Sequence, residues 1–288
     1  MSAHSHIDLP PDGERLDASK VASIRKVALA VGFIGLIASV ILFFSPLAEK
    51  FIYSWLFGFY YFFSLSLGGL FWMLLHNATN SGWGIAVRRI FENLACVVPF
   101  MLLLVIPILV PGLRDSLYEW TAEQTAIEAQ MHAAADQVEA AAGGEVMSEH
   151  ADHDLRHAIH VEAGKDPHLH LLYHKYGYLN KTFFYFRAFG YFIILGFIAW
   201  WMRSMSTRQD EDGNHKWTYR MRRAACGFLP VFAVGASFAS IDFLKALDYK
   251  WFSTMWGVYV FAGCALNGMQ IFPRRRSTSS RGIPKAGT

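Results

Sequence analysis

Four ionisable residues stand inside or at the rims of long apolar runs: His76, Glu92, Arg187 and Asp242. Charge is costly to place in such a run, which makes each of them a candidate for function. Imidazole titrates near neutral pH, so His76 suits proton relay. Glu92 follows Arg88 and Arg89 by four and three residues. On a helix it could equally pair with either. Arg187 and Asp242 fall near the same ends of their runs and could sit at similar depth. Two readings of the four stay open: a structural ion pair that fixes helix packing, or two half-routes for protons, one opening on each side of a membrane.

A second constellation is His150, His153, His157 and His160, spaced three, four and three apart. On a helix that spacing puts four imidazoles on one face, a pattern that zinc or copper could use. No cysteine and no H-E-x-x-H accompanies it, so a solvated His-rich face is the simpler reading. Cys96, Cys226 and Cys264 lie in apolar runs and read as packed thiols. With no C-x-x-C, the chain lacks the spacing of an iron–sulfur, structural zinc or haem c site. Only His76 lies near a span, which argues against a b-type haem held within this chain.

These residues are positioned by six predicted transmembrane helices. The chain is 53% hydrophobic and 17% charged, and the apolar residues come in long uncharged runs rather than scattered. Runs of about 18 or more such residues predict bilayer-spanning helices. They fall at Val27–Ser45, Phe51–Leu75, Leu94–Val110, Phe183–Met202, Ala224–Leu244 and Trp251–Phe272. The expected fold is therefore all-α, a polytopic helical bundle. An open sheet would leave its edge amides unpaired in lipid. A polar insertion at 113–180 holds eight of the twelve histidines; its stretch Thr121–Gly143 reads as a soluble helix.

Basic residues set the orientation. Lys20, Arg25 and Lys26, then Arg88 and Arg89, then Arg203, Arg208, Lys216, Arg220, Arg222 and Arg223, then Arg274, Arg275 and Arg276 all fall on one side of six spans. The positive-inside rule makes that side cytoplasmic. The predicted organisation is a cytoplasmic segment 1–26, three spans in 27–112, a periplasmic insertion 113–180, three spans in 181–272, and a disordered cytoplasmic tail 273–288 rich in Arg, Ser and Gly. The N-terminus does not read as a cleavable signal peptide. Trp55, Trp200, Trp201, Trp217 and Trp251 lie near span ends as an interfacial belt. Ser64, Ser66, Gly68 and Gly69 form a small-residue stripe suited to close helix approach.

Three stretches resemble a known family. The first is His76-Asn-Ala-Thr-Asn-Ser-Gly-Trp83 followed by Val87-Arg-Arg-Ile-Phe-Glu92. The second is His174-Lys-Tyr-Gly-Tyr-Leu-Asn-Lys-Thr-Phe-Phe184, with Arg187 just after. The third, the most specific, is Ser240-Ile-Asp-Phe-Leu-Lys-Ala-Leu-Asp-Tyr-Lys-Trp-Phe-Ser-Thr-Met-Trp-Gly-Val-Tyr259. Together they resemble the polysulfide-reductase-like membrane subunits of alternative complex III, a bacterial quinol:cytochrome c oxidoreductase. That complex has two such subunits. The second of them, which carries a long insertion after its third span, is the better match.

The resemblance implies an integral membrane subunit of a respiratory quinol oxidoreductase in the bacterial inner membrane. Such a subunit supports quinol oxidation and proton conduction through the positions matched by His76, Glu92, Arg187 and Asp242. It implies no haem or iron–sulfur cluster bound by this chain and a possible quinone or quinol. The implied partners are a multihaem cytochrome c, an iron–sulfur protein and a sister membrane subunit, with no nucleic acid. Two features depart from the family. Asn77 stands where a second histidine is frequent, and the family has about ten spans where this chain has six, so a C-terminally truncated product is expected. The alternatives are a secondary transporter, for which no internal repeat is visible, and a purely structural membrane anchor.

Overall fold

The computed structural model describes residues 18–82, 87–129 and 167–270. Among them the regular structure is helical throughout, with no strand, as expected of an all-α membrane bundle. The helices are α1 (Ala18–Phe43), α2 (Ala48–Thr79), α3 (Arg88–Ala95), α4 (Met101–Leu109), α5 (Leu113–Leu117), α6 (119–129), α7 (Pro167–Lys175), α8 (Lys181–Asp212), α9 (Lys216–Phe243) and α10 (Trp256–Gln270). Among the described residues five stretches are long and apolar enough to cross a membrane: Ala22–Phe43, Ala48–Thr79, Arg88–Leu109, Lys181–Asp212 and Lys216–Leu247. At about 1.5 Å per residue, even the shortest exceeds the roughly 30 Å of a hydrocarbon core. The chain is a multi-pass membrane-type helical protein.

The residues divide into two compact units, Met1–Ile52 and Tyr53–Thr288. The first contains α1 and the start of α2. Between them Ser45 donates its hydroxyl to the Leu42 carbonyl at 2.8 Å, and the Phe43 and Phe51 rings meet edge to face at 5.1 Å. The second unit holds the remaining helices.

Its helix ends follow from local chemistry. Asn80 adopts a left-handed φ of 53° just past Thr79, a conformation asparagine tolerates better than most residues, and α2 stops there. Asn180 caps α8 by accepting the Phe183 amide at 3.2 Å. Gly213, at φ 62°, ends α8 by donating its N–H to Gln209.

The third predicted span starts earlier than expected, at Arg88, and it is interrupted. Pro99 cannot donate a backbone hydrogen bond, and the chain passes through a short 3-10 turn, Val98–Phe100, before resuming as α4. The Pro99 ring faces Gly196 of α8, where a Cβ would come within 2.9 Å of its Cγ.

The sixth predicted span also differs. Residues 251–255 are not helical, and the described helix runs from Trp256 for 15 residues. The Asp248 carboxylate accepts the backbone N–H groups of Lys250 and Trp251, at 3.0 and 3.3 Å, and this side-chain turn diverts the chain before α10 begins.

The core is aromatic. Phe59, Phe63, Phe192 and Phe243 pack in a cluster with ring centroids 5.4–6.4 Å apart, and Phe184 extends it to Tyr118 and Trp120. Tyr118, Trp120, Thr121 and Gln124 are all buried. The start of the insertion is therefore packed chain, not a free polar segment: Gln124 donates to the Leu179 carbonyl at 2.6 Å. The outward faces of α8 and α9, with Phe186, Ile193, Phe197 and Val234, are exposed and apolar, which is the arrangement of a bundle whose solvent is lipid. The tail 273–288 and most of the insertion, including His150, His153, His157 and His160, lie outside the described residues.

Candidate functional site

Two polar clusters are built into this apolar bundle, one toward each end of α8. The first is centred on Asp242, a fully buried residue near the C-terminal end of α9. Arg187 of α8 grips its carboxylate through two nitrogens, Nε to Oδ2 at 2.8 Å and Nη2 to Oδ1 at 3.0 Å. The pair anticipated from depth alone is thus formed, and it is bidentate, the strongest geometry between these groups. The third guanidinium nitrogen donates to the Tyr178 carbonyl at 2.8 Å. The guanidinium carbon lies 3.9 Å from the centroid of the Tyr178 ring and 4.4 Å from that of Phe183.

Tyr178 and Tyr191 complete the cluster by donating their hydroxyls to the two oxygens of Asp242, Tyr178 at 2.8 Å. Burial, together with the adjacent carboxylate, pushes the Tyr178 phenol well above its ordinary range, so it stays a donor. Neither tyrosine was singled out from the sequence. Tyr191 carried a signal, since it stands four residues after Arg187 on the same face of α8.

Beside this cluster a groove of about 590 Å³ opens between α8 and α9. Ile194, Val231, Val234 and Phe238 make most of its wall, and Arg187, Tyr178 and Tyr191 lie at its polar part.

The second cluster is centred on Glu92 of α3, which is buried. Arg88 Nε approaches its Oε1 at 3.1 Å and Arg89 Nη1 its Oε2 at 2.5 Å, so both of the neighbours anticipated on that helical turn engage it. Ser206 of α8 donates to Oε1 as well. Arg88 and Arg89 also reach Asp210, a half-exposed carboxylate at the rim. The result is a connected line of groups from the aqueous rim to a buried carboxylate: Asp210, the two arginines, Glu92 and Ser206.

His76 is buried near the end of α2, with its ring 5.7 Å from Trp72 and 5.4 Å from Phe91. It lines a cavity of about 230 Å³ together with Asn77, Asn80, Gln209, Thr218 and Arg88. Arg88 therefore joins the His76 cavity to Glu92. Asn77, at the position where the resembled family often has histidine, spends its amide on the Met73 carbonyl of its own helix at 2.8 Å.

The four sequence candidates thus fall into two sets. Arg187 and Asp242 share one cluster, and His76 and Glu92 lie on either side of Arg88 in the other. Arg187 and Ser206 are 19 residues apart on one continuous helix, which separates the clusters by about 28 Å, close to a bilayer's hydrocarbon thickness. Among the described residues no group of three or more His, Cys, Asp or Glu is arranged to hold a metal. No family model matches the chain, and no curated protein matches it.

Proposed function

We propose that this chain is an integral membrane subunit of a respiratory quinol:electron-acceptor oxidoreductase of the alternative complex III kind, placed in a bacterial inner membrane with its N-terminus cytoplasmic. In this reading the chain carries no redox centre. A multihaem cytochrome c and an iron–sulfur protein hold those centres, and a sister membrane subunit completes the assembly. Its own contribution is to support quinol oxidation and to conduct protons, with His76 and Glu92 serving the cytoplasmic half-route and Arg187 and Asp242 the periplasmic one.

The observation that carries the proposal is the pair of buried carboxylates, Glu92 and Asp242, set toward opposite ends of the bundle, each held by arginine and hydroxyl groups. Buried carboxylates at membrane depth are expensive and mark ion or proton paths. The apolar groove ending at Arg187, Tyr178 and Tyr191 adds support, because an isoprenoid quinol pairs a long apolar tail with a polar ring. A structural anchor is the second reading, favoured by how completely Asp242 is hydrogen-bonded.

Affinity purification of the tagged chain from its native membrane in mild detergent tests the assignment. Haem c absorbance and an iron–sulfur polypeptide in stoichiometric amounts are expected. Recovery of the chain alone, with no redox partner, would count against the proposal.

A further inference from the structure

A second groove, of about 540 Å³, lies where the C-terminal part of α8 meets the start of α9. It is distinct from both clusters above. Its walls combine Trp200, Trp201 and Trp217 with Arg208, Arg220 and Arg223. Trp217 is buried and organises the cations. The Arg208 guanidinium carbon lies 5.7 Å from its ring centroid, that of Arg220 5.2 Å, and the Lys216 ammonium 5.2 Å. Residues 217, 220 and 223 follow one another at helical spacing, so the indole and two guanidinium groups share one face of α9.

The charge here is not balanced. Among the described residues Arg208, Arg220 and Arg223 make no ion pair, in contrast to Arg88, Arg89, Arg114 and Arg187. Asp212, the last residue of α8, accepts the Trp217 indole N–H at 3.2 Å. The first turn of α9 holds no acidic residue, and its cations crowd the helix end where the backbone dipole already favours an anion. Four cations converging on one end of a helix repel one another, and an anionic group in the groove would relieve both mismatches.

We propose that this groove binds the phosphate headgroup of an anionic glycerophospholipid. The chemistry called for is a phosphate diester: guanidinium forks match its oxygens, whereas a carboxylate-poor, indole-walled surface suits the glycerol and upper acyl carbons. The groove lies where the apolar part of α8 gives way to its polar end, with Trp200 exposed in its wall, the setting in which indole and basic side chains meet a headgroup layer. Basic pockets between membrane helices recognise anionic lipids in this way. Three arginines together favour a lipid with two phosphates over one with a single charge. The inference requires only that the chain spans a membrane, and it stands or falls separately from the quinol assignment.

The test uses the full chain, purified in detergent and stripped of lipid, titrated with cardiolipin or with phosphatidylcholine, bound lipid being counted by native mass spectrometry. Cardiolipin should bind at least tenfold more tightly than phosphatidylcholine. The advantage should be lost in the triple variant R208Q/R220Q/R223Q and largely kept in the triple lysine variant. Single Arg220→Gln and Arg223→Gln replacements at these exposed positions should each weaken cardiolipin binding several-fold, so the result does not depend on the triple variant folding. Equal binding of the two lipids would overturn the proposal. So would unchanged binding in the glutamine variants, or displacement of cardiolipin by equimolar inorganic phosphate, which would mark a site for free phosphate instead.

Discussion

Replacing Arg187 by methionine is expected to destabilise the bundle by about 3–5 kcal/mol, because it strands a buried carboxylate. Asp242 is fully buried, and in the variant only Tyr178 and Tyr191 would still donate to it. The lost guanidinium also takes with it the bond to the Tyr178 carbonyl and the ring contacts with Tyr178 and Phe183. Reversible unfolding of the purified chain in detergent checks this. The double variant R187M/D242N should recover much of the loss, since removing both charges of a buried pair is frequently close to neutral. A single variant within about 1 kcal/mol of the wild type, the range of exposed ion pairs, would mean that Asp242 is solvated and the cluster is not a buried one.

The second large effect is expected at Gly68. A Cβ there would collide with the Cys264 carbonyl oxygen and come within 2.8 Å of the Gly268 amide nitrogen. Both obstacles are backbone, so neither can rotate away, and α2 and α10 would have to separate. Gly68→Ala should therefore cost about 1–3 kcal/mol despite adding a single methyl group. It should also disturb the neighbouring bond from Asn267 to the Ser64 hydroxyl, 2.9 Å long. Gly190→Ala is the matched control. Nothing lies within 4 Å of a Cβ at Gly190, and alanine favours helix by up to about 1 kcal/mol. Unfolding of the two variants under the same detergent conditions should move in opposite directions or differ by at least the Gly68 penalty. Equal behaviour would mean that the close approach of α2 and α10 does not persist in the protein.

The sequence made the oil legible and left the hydrogen bonds largely hidden. Long apolar runs located the spans because lipid demands them, and the similar depth of Arg187 and Asp242 allowed the pairing that the structure shows. The helical spacing of Arg88, Arg89 and Glu92 did the same for the other cluster. Hydropathy marks where the oil ends and says nothing of where a helix ends. It placed the end of the fourth span at Met202, whereas α8 continues to Asp212 and so delivers Ser206 and Asp210 to Glu92 and its arginines. Tyr178 sits on a loop, outside any periodic pattern, and only the fold brings it to Asp242. The six-span expectation met the carboxylate of Asp248, whose turn shortens the start of the last helix in a way no apolar run reveals.

For the proposed quinol-oxidoreductase subunit, the most direct measurement is proton release during quinol turnover by the complex purified with this chain and reconstituted in vesicles, comparing wild type with Asp242→Asn and Glu92→Gln. If the two buried carboxylates hold the half-routes, each amide variant should slow turnover-coupled proton release by about a hundredfold, the low end of what positioned acid–base groups contribute. Proton release at the wild-type rate in both variants, with lowered thermal stability alone, would contradict the proton-route assignment and leave the chain a structural anchor.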